Sequence, residues 1–126
     1  MAGYSQRTLI EKLGYKPGDS LYTFGLPSKL QKHFHAAGIS VSSALPATWA
    51  HAFFNRQAEL EQFLKITDLN KIEKALWVSW PKKSSGADTN LTEQTLRDLI
   101  LPTGWVDIKV AAIDGTWSGL KFTRRK

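Results

Sequence analysis

Leu76-Trp77-Val78-Ser79-Trp80-Pro81-Lys82-Lys83-Ser84-Ser85-Gly86 decides the fold of this chain. Its first half is a nearly unbroken apolar run, the pattern of a strand buried on both faces of a parallel sheet. Pro81 stops the run, and cations, hydroxyls and a glycine follow. In open α/β sheets ligands are met beyond the carboxyl ends of the strands, where diverging loops leave a crevice. Trp49-Ala50-His51-Ala52-Phe53-Phe54 has the same two-faced apolar character. Residues 49–54 and 75–80 are therefore expected to be central parallel strands.

Working outward, Thr8, Leu9, Ile10 and Leu13 fit one face of a short helix that Gly14 ends. Lys16-Pro17-Gly18-Asp19 reads as a turn. Residues 20–24 form a short strand closed by Gly25. Ser28 is expected to cap a helix carrying Leu30 and Phe34 and stopped by Gly38. Residues 39–42 alternate like an edge strand. Asn55 is expected to cap the next helix, whose buried stripe is Ala58, Leu60, Phe63, Leu64 and Ile66. Thr92 caps another, with Leu91 and Leu96 as its hydrophobic staple. Leu96, Leu99 and Ile100 face the core until Pro102 and Gly104 end it. Two strands, 105–113 and 117–122, meet around Asp114-Gly115, a strong hairpin dipeptide.

Strand and helix alternate to about residue 101, which predicts a mostly parallel sheet with right-handed crossovers and an antiparallel C-terminal hairpin. The expected class is α/β: one three-layer, Rossmann-like domain over residues 1–126. Residues 1–19 supply a helix and a turn, and 121–126 a basic tail that ends the last strand.

The 126 residues are 42% hydrophobic with five tryptophans, the composition of a packed globule. No cysteine is present, so disulfides, thiolate metal sites and a cysteine nucleophile are excluded. No apolar run approaches the roughly 18 residues that cross a bilayer, so no membrane partner and a cytoplasmic location are expected. The net charge of +6 is uneven: +3 over residues 1–35, zero over 36–81, −1 over 82–120 and +4 over 121–126. Its terminal concentration reads as a solvated tail rather than a nucleic-acid surface.

Ala2-Gly3-Tyr4-Ser5, Lys12-Leu13-Gly14, Leu76-Trp77-Val78, Trp80-Pro81-Lys82-Lys83, Thr89-Asn90-Leu91-Thr92-Glu93 and Asp114 with Thr116-Trp117-Ser118-Gly119-Leu120 carry a resemblance. The chain resembles a bacterial family of small proteins of unknown function, with residues 26–60 matching weakly. That resemblance implies no established activity. The order of elements is also similar to the Rossmann-like fold of S-adenosylmethionine-dependent methyltransferases, whose final hairpin inserts its last strand antiparallel. In that family the first strand runs into an acid and several glycines, and the second ends in a carboxylate for the ribose. Here the corresponding residues are Phe24-Gly25-Leu26-Pro27-Ser28 and Ser42-Ser43. The resemblance therefore implies the fold, while the motifs do not support S-adenosylmethionine and the cofactor stays unknown.

The expected strand ends bring Gly25, Ser28, Asn55, Arg56, Lys82, Lys83, Ser84 and Ser85 to one rim. Arg56 offers a planar fork for a carboxylate or phosphate, the lysines add charge, and helix amides add donors. The rim is thus a candidate site for a small anionic ligand; the competing reading is loop solvation and helix capping. Lys82-Lys83-Ser84-Ser85-Gly86 is not a phosphate-binding loop, because Pro81 and Leu76 stand where glycines are required. His33 and His35 point to different helix faces, so no metal clamp is expected. His51, mid-strand, reads as a hydrogen-bonded structural residue. Trp117-Ser118-Gly119 lacks the strand–turn–helix setting of a nucleophile elbow. Asp107 and Asp114 fall on opposite strand faces and make no carboxylate pair. Trp77, Trp80, Trp105 and Trp117 read as packing. The leading expectation is a non-catalytic ligand- or protein-binding module; the alternative is a methyltransferase-like enzyme with an atypical cofactor pocket. Nucleic-acid binding through the terminal cations ranks below both.

Overall fold

A computed structural model describes residues 9–125. Thr8, the Ala2-Gly3-Tyr4-Ser5 piece and Lys126 lie outside the described residues. Within them, helix α1 covers residues 9–13, followed by β1 (Ser20–Phe24), α2 (Ser28–Ala36), β2 (Ser40–Ser42) and β3 (Ala47–Phe53). Then come α3 (Gln57–Ile66), β4 (Ile72–Pro81), α4 (Glu93–Ile100), β5 (Trp105–Ala112) and β6 (Trp117–Arg124).

The six strands form one sheet in the order β2-β1-β3-β4-β6-β5. β1 to β4 are mutually parallel, and β6 lies antiparallel between β4 and β5. The fold is α/β and Rossmann-like, mostly parallel, with the expected hairpin at one end. β4 is longer than its apolar run suggested because Ile72 already pairs with Ala47.

Alternation along the central strands divides the core into two layers. On one face α1 and α2 bring Leu13, Leu30 and Phe34 against Leu21, Trp49, Phe53 and Trp77. On the other, Leu60 and Phe63 of α3 and Leu96 and Ile100 of α4 cover Ala50, Leu76, Val78, Leu120 and Phe122. Each such side chain, fully buried, contributes roughly 1.5–3 kcal/mol. The tryptophans Trp77, Trp80 and Trp105 are core residues and Trp117 is half-buried. The Trp77 indole N–H also donates to the Leu13 carbonyl (2.9 Å), tying the centre of β4 to the end of α1.

Several local expectations need correction. Ser28 does not cap α2; Pro27 holds the extended N-cap conformation and Ser28 is the first helical residue. Asn55 does not cap α3, whose N-cap is Arg56. The last strand runs to Arg124, two residues past its expected end. The Arg124 guanidinium donates to carbonyls of Asn70, Ile72 and Glu73 and lies 5.3 Å from the Trp105 ring centroid. Asp114 lies in the hairpin turn and accepts from the Thr116 and Trp117 amides (2.8 Å each), whereas Asp107 in β5 pairs with Arg97 (2.9 Å).

Candidate functional site

β1 is followed by a crossover to β2 on one side, and the chain then returns past β1 to β3 on the other. This reversal puts the crevice of the sheet between the carboxyl ends of β1 and β3, the position where open α/β sheets bind ligands. Gly25, Asn55 and Arg56 stand at those two ends.

The chain's own aromatic rings wall the α3 side of this crevice. Phe24 at the end of β1, Phe54 just after β3 and Phe63 of α3 form an aromatic triangle with centroids 5.3–5.5 Å apart. Gly25 adopts φ +69°, and a Cβ built there would lie 2.6 Å from the Phe53 carbonyl oxygen. The loop after β1 is pressed against the end of β3 with no space for a methyl group. Gly25→Ala combines that clash with a left-handed backbone conformation, and the expected loss is about 2 kcal/mol in a urea melt.

The amino end of α3 is also occupied internally. Glu59 Oε1 accepts from the Asn55 amide (2.8 Å) and the Arg56 amide (3.0 Å), and Asn90 Oδ1 accepts from the Gln57 amide (2.8 Å). The Arg56 guanidinium, expected to be free for an anion, is ion-paired with Asp88. Both partners are exposed, so the pair adds little stability, but it neutralises the fork. Residues 87–90 thus fold back from the end of β4 over the start of α3.

The remaining rim residues divide between two places. Ser28 opens α2 on the opposite face of the sheet from α3. Lys82 is held by its amide on the Thr116 carbonyl (2.8 Å), and Ser85 Oγ donates to the Lys82 carbonyl (2.7 Å) while accepting from the Ala87 amide. Lys83 and Ser84 are exposed in the same 3-10 turn. Among the described residues, neither Lys82 nor Lys83 has a carboxylate partner. Sequence reasoning missed Asp88 and Asn90, which reach the site from more than 30 positions away. Glu59 carried a signal: a glutamate at the third helical position, the pattern that caps a helix start.

His51 is fully buried and hydrogen-bonded, with Tyr15 Oη 2.9 Å from Nδ1 and Ser79 Oγ 2.7 Å from Nε2. Its ring stacks on Phe53 at 4.3 Å. Burial lowers its pKa to about 3 and raises that of Tyr15 well above the usual tyrosine value. One imidazole nitrogen donates and the other accepts, so a neutral ring satisfies both hydroxyls. Among the described residues no three His, Asp or Glu side chains are grouped to hold a metal ion. No helix among them is long and apolar enough to cross a membrane.

A family model described as a domain of unknown function, DUF8412, matches residues 52–126, more than half of the chain. The chain belongs to this family. The DUF8412 match runs from the last residues of β3 to the C-terminus and takes in α3, β4, α4 and the hairpin. The Trp-Pro-Lys-Lys and Thr-Trp-Ser-Gly-Leu pieces lie inside it, while Lys12-Leu13-Gly14 and the earlier piece lie outside. No curated protein matches in sequence.

The fold is similar to that of ribosomal protein L11 methylase from Lactobacillus delbrueckii subsp. bulgaricus, with TM-score 0.61 and 11% identity over 96% of this chain and 77% of that one. Magnesium protoporphyrin IX methyltransferase from Synechocystis PCC 6803, solved with S-adenosylmethionine bound, gives TM-score 0.59 and 8% identity over 97% and 77%. The N-methyltransferase NodS from Bradyrhizobium japonicum WM9 gives 0.55 and 8% over 99% and 97%. At these identities the likeness is one of fold.

Proposed function

We propose that this DUF8412 chain is a non-catalytic binding module built on the methyltransferase-type fold. One observation carries the reading: the crevice between β1 and β3 is lined by the chain's own groups. Phe24, Phe54 and Phe63 wall its α3 side, Gly25 is closed against Phe53, and Glu59, Asn90 and Asp88 take the donors of α3 and Arg56. A nucleoside cofactor would need all three of these arrangements opened at once. Its partner is a protein or a small anionic ligand in the cytoplasm, and Lys82 and Lys83 are the cations that the rim still offers.

A methyltransferase-like enzyme with an atypical cofactor pocket is the second reading, favoured by fold likeness over nearly the whole chain. Calorimetric titration separates the two. The module gives no saturable heat with S-adenosylmethionine up to about 1 mM, the weak limit of useful affinity. Saturable heat that disappears on opening or mutating the Arg56 corner overturns the module in favour of the enzyme.

A further inference from the structure

The geometry points to a peptide-docking groove on the far edge of the sheet, between α2 and the free side of β2, that receives an extended acidic segment of a partner protein. This inference rests on the binding-module reading and adds to it the surface and the chemistry of the partner. The groove has a volume of about 730 Å³ and lies at the β2 edge of the sheet, with β1 and β3 between it and β4. One wall is a polar stripe of α2, Ser28, Gln31, Lys32 and His35, which share a helix face through their spacing of three and four residues. The other is the edge strand itself, at Ser40 and Val41.

Three observations fix the occupant. The first is charge. No Asp or Glu occurs between Ser20 and Ala58, while α2 carries Lys29, Lys32, His33 and His35. Among the described residues neither lysine is ion-paired. Of these side chains, Lys32 and His35 line the groove, whose lining holds no carboxylate, so the Lys32 charge complements an acidic segment.

The second is the strand edge. β2 pairs with β1 alone, and the Ser40 amide donates to the Asp19 carbonyl (3.0 Å). Main-chain groups alternate in direction along a strand, so those of Val41 point away from β1 and into the groove side. An incoming extended chain finds an N–H and a C=O there, the main-chain contacts of strand addition. The third is length. Ser28 to His35 rises roughly 10 Å along α2, and three residues of extended peptide span roughly 10 Å. A polar wall of that length suits an extended segment better than one compact anion.

The test uses fluorescence anisotropy with a labelled peptide of alternating Glu and Val, and Lys-Val and oligothymidine probes of equal length. The acidic peptide binds the wild-type chain, and Lys32→Glu weakens it about ten-fold or more, the scale of a lost complementary charge reversed in sign. Val41→Pro weakens it comparably; its N–H makes no ladder bond, so the sheet retains its pairing. Lys65→Glu on α3 changes the net charge equally and leaves binding intact. Circular dichroism melts check that each variant is folded. The proposal is overturned if the acidic peptide does not bind, if Lys65→Glu weakens it as much as Lys32→Glu, or if oligothymidine binds more tightly. Failure here with silent S-adenosylmethionine calorimetry removes the groove alone; saturable cofactor heat removes the module reading itself.

Discussion

Trp77→Ala is expected to remove about 4 kcal/mol of stability, the range of large aromatic truncations in well-packed cores. Trp77 is fully buried at the centre of β4, between β3 and β6. Its ring lies against the position of Gly119, where an added Cβ would come within 3.1 Å of it. The loss has two parts: the cavity left by the indole, and the Leu13 carbonyl deprived of its donor. Domains of this size are stable by about 5–15 kcal/mol, so the variant approaches unfolding at room temperature. Trp77→Phe keeps most of the volume and loses the donor, and an intermediate cost of about 2 kcal/mol is expected. Urea melts of the three proteins measure both parts. A Trp77→Ala cost below about 1 kcal/mol would mean that β4 is not the packed centre of the sheet.

The second large effect is a pH dependence carried by His51. Its pKa is lowered by burial to about 3 in the fold, against about 6.5 in an unfolded chain. Between these values the unfolded state binds a proton that the folded state does not. The stability His51 contributes is therefore present above about pH 6.5 and is lost progressively as the pH falls toward 3. From pH 7 to pH 4.5 the loss is on the order of 3 kcal/mol. Carboxylates add their own acid sensitivity, so the informative quantity is the difference between wild type and His51→Gln. Glutamine does not titrate, and the wild-type advantage should shrink by that amount over this interval. A difference independent of pH would show that His51 keeps an ordinary pKa and that the Tyr15–His51–Ser79 array is open to water.

Much of this fold was legible because burial on two faces leaves a strong mark. Residues 49–54 and 75–80 are apolar at nearly every position, and they became the central parallel pair. Asp114-Gly115 marked the hairpin, and its partner strand sits antiparallel against β4. The start of α4 was read correctly at Thr92, whereas those of α2 and α3 were read one residue wrong for local reasons. Pro27 supplies the extended N-cap dihedral that Ser28 was expected to hold. At α3, Glu59 caps from inside the helix, so the duty expected of Asn55 is taken elsewhere.

The rim was legible as a place but not as a chemistry. Strand ends can be counted from sequence, whereas Asp88 reaching Arg56 and Asn90 reaching Gln57 are tertiary pairings with no local signature. The register shift between Asp107 and Lys109 in β5 was equally hidden, because the sequence shows only continuous alternation around Ile108. The groove beside α2 was missed for the same reason. Its walls, Lys32 and His35 of α2 and the edge of β2, have no local signature and come together only because β2 ends the sheet beside the helix.

On the binding-module reading, the crevice between β1 and β3 is closed to a nucleoside cofactor. The most direct measurement is a heteronuclear NMR titration of isotope-labelled protein with S-adenosylmethionine, following the amides of Gly25, Asn55, Arg56 and Gln57. None of these signals is expected to move up to about 1 mM cofactor. Saturable shifts clustered on these four amides would contradict the binding-module reading and return the chain to the cofactor-binding enzymes whose fold it shares.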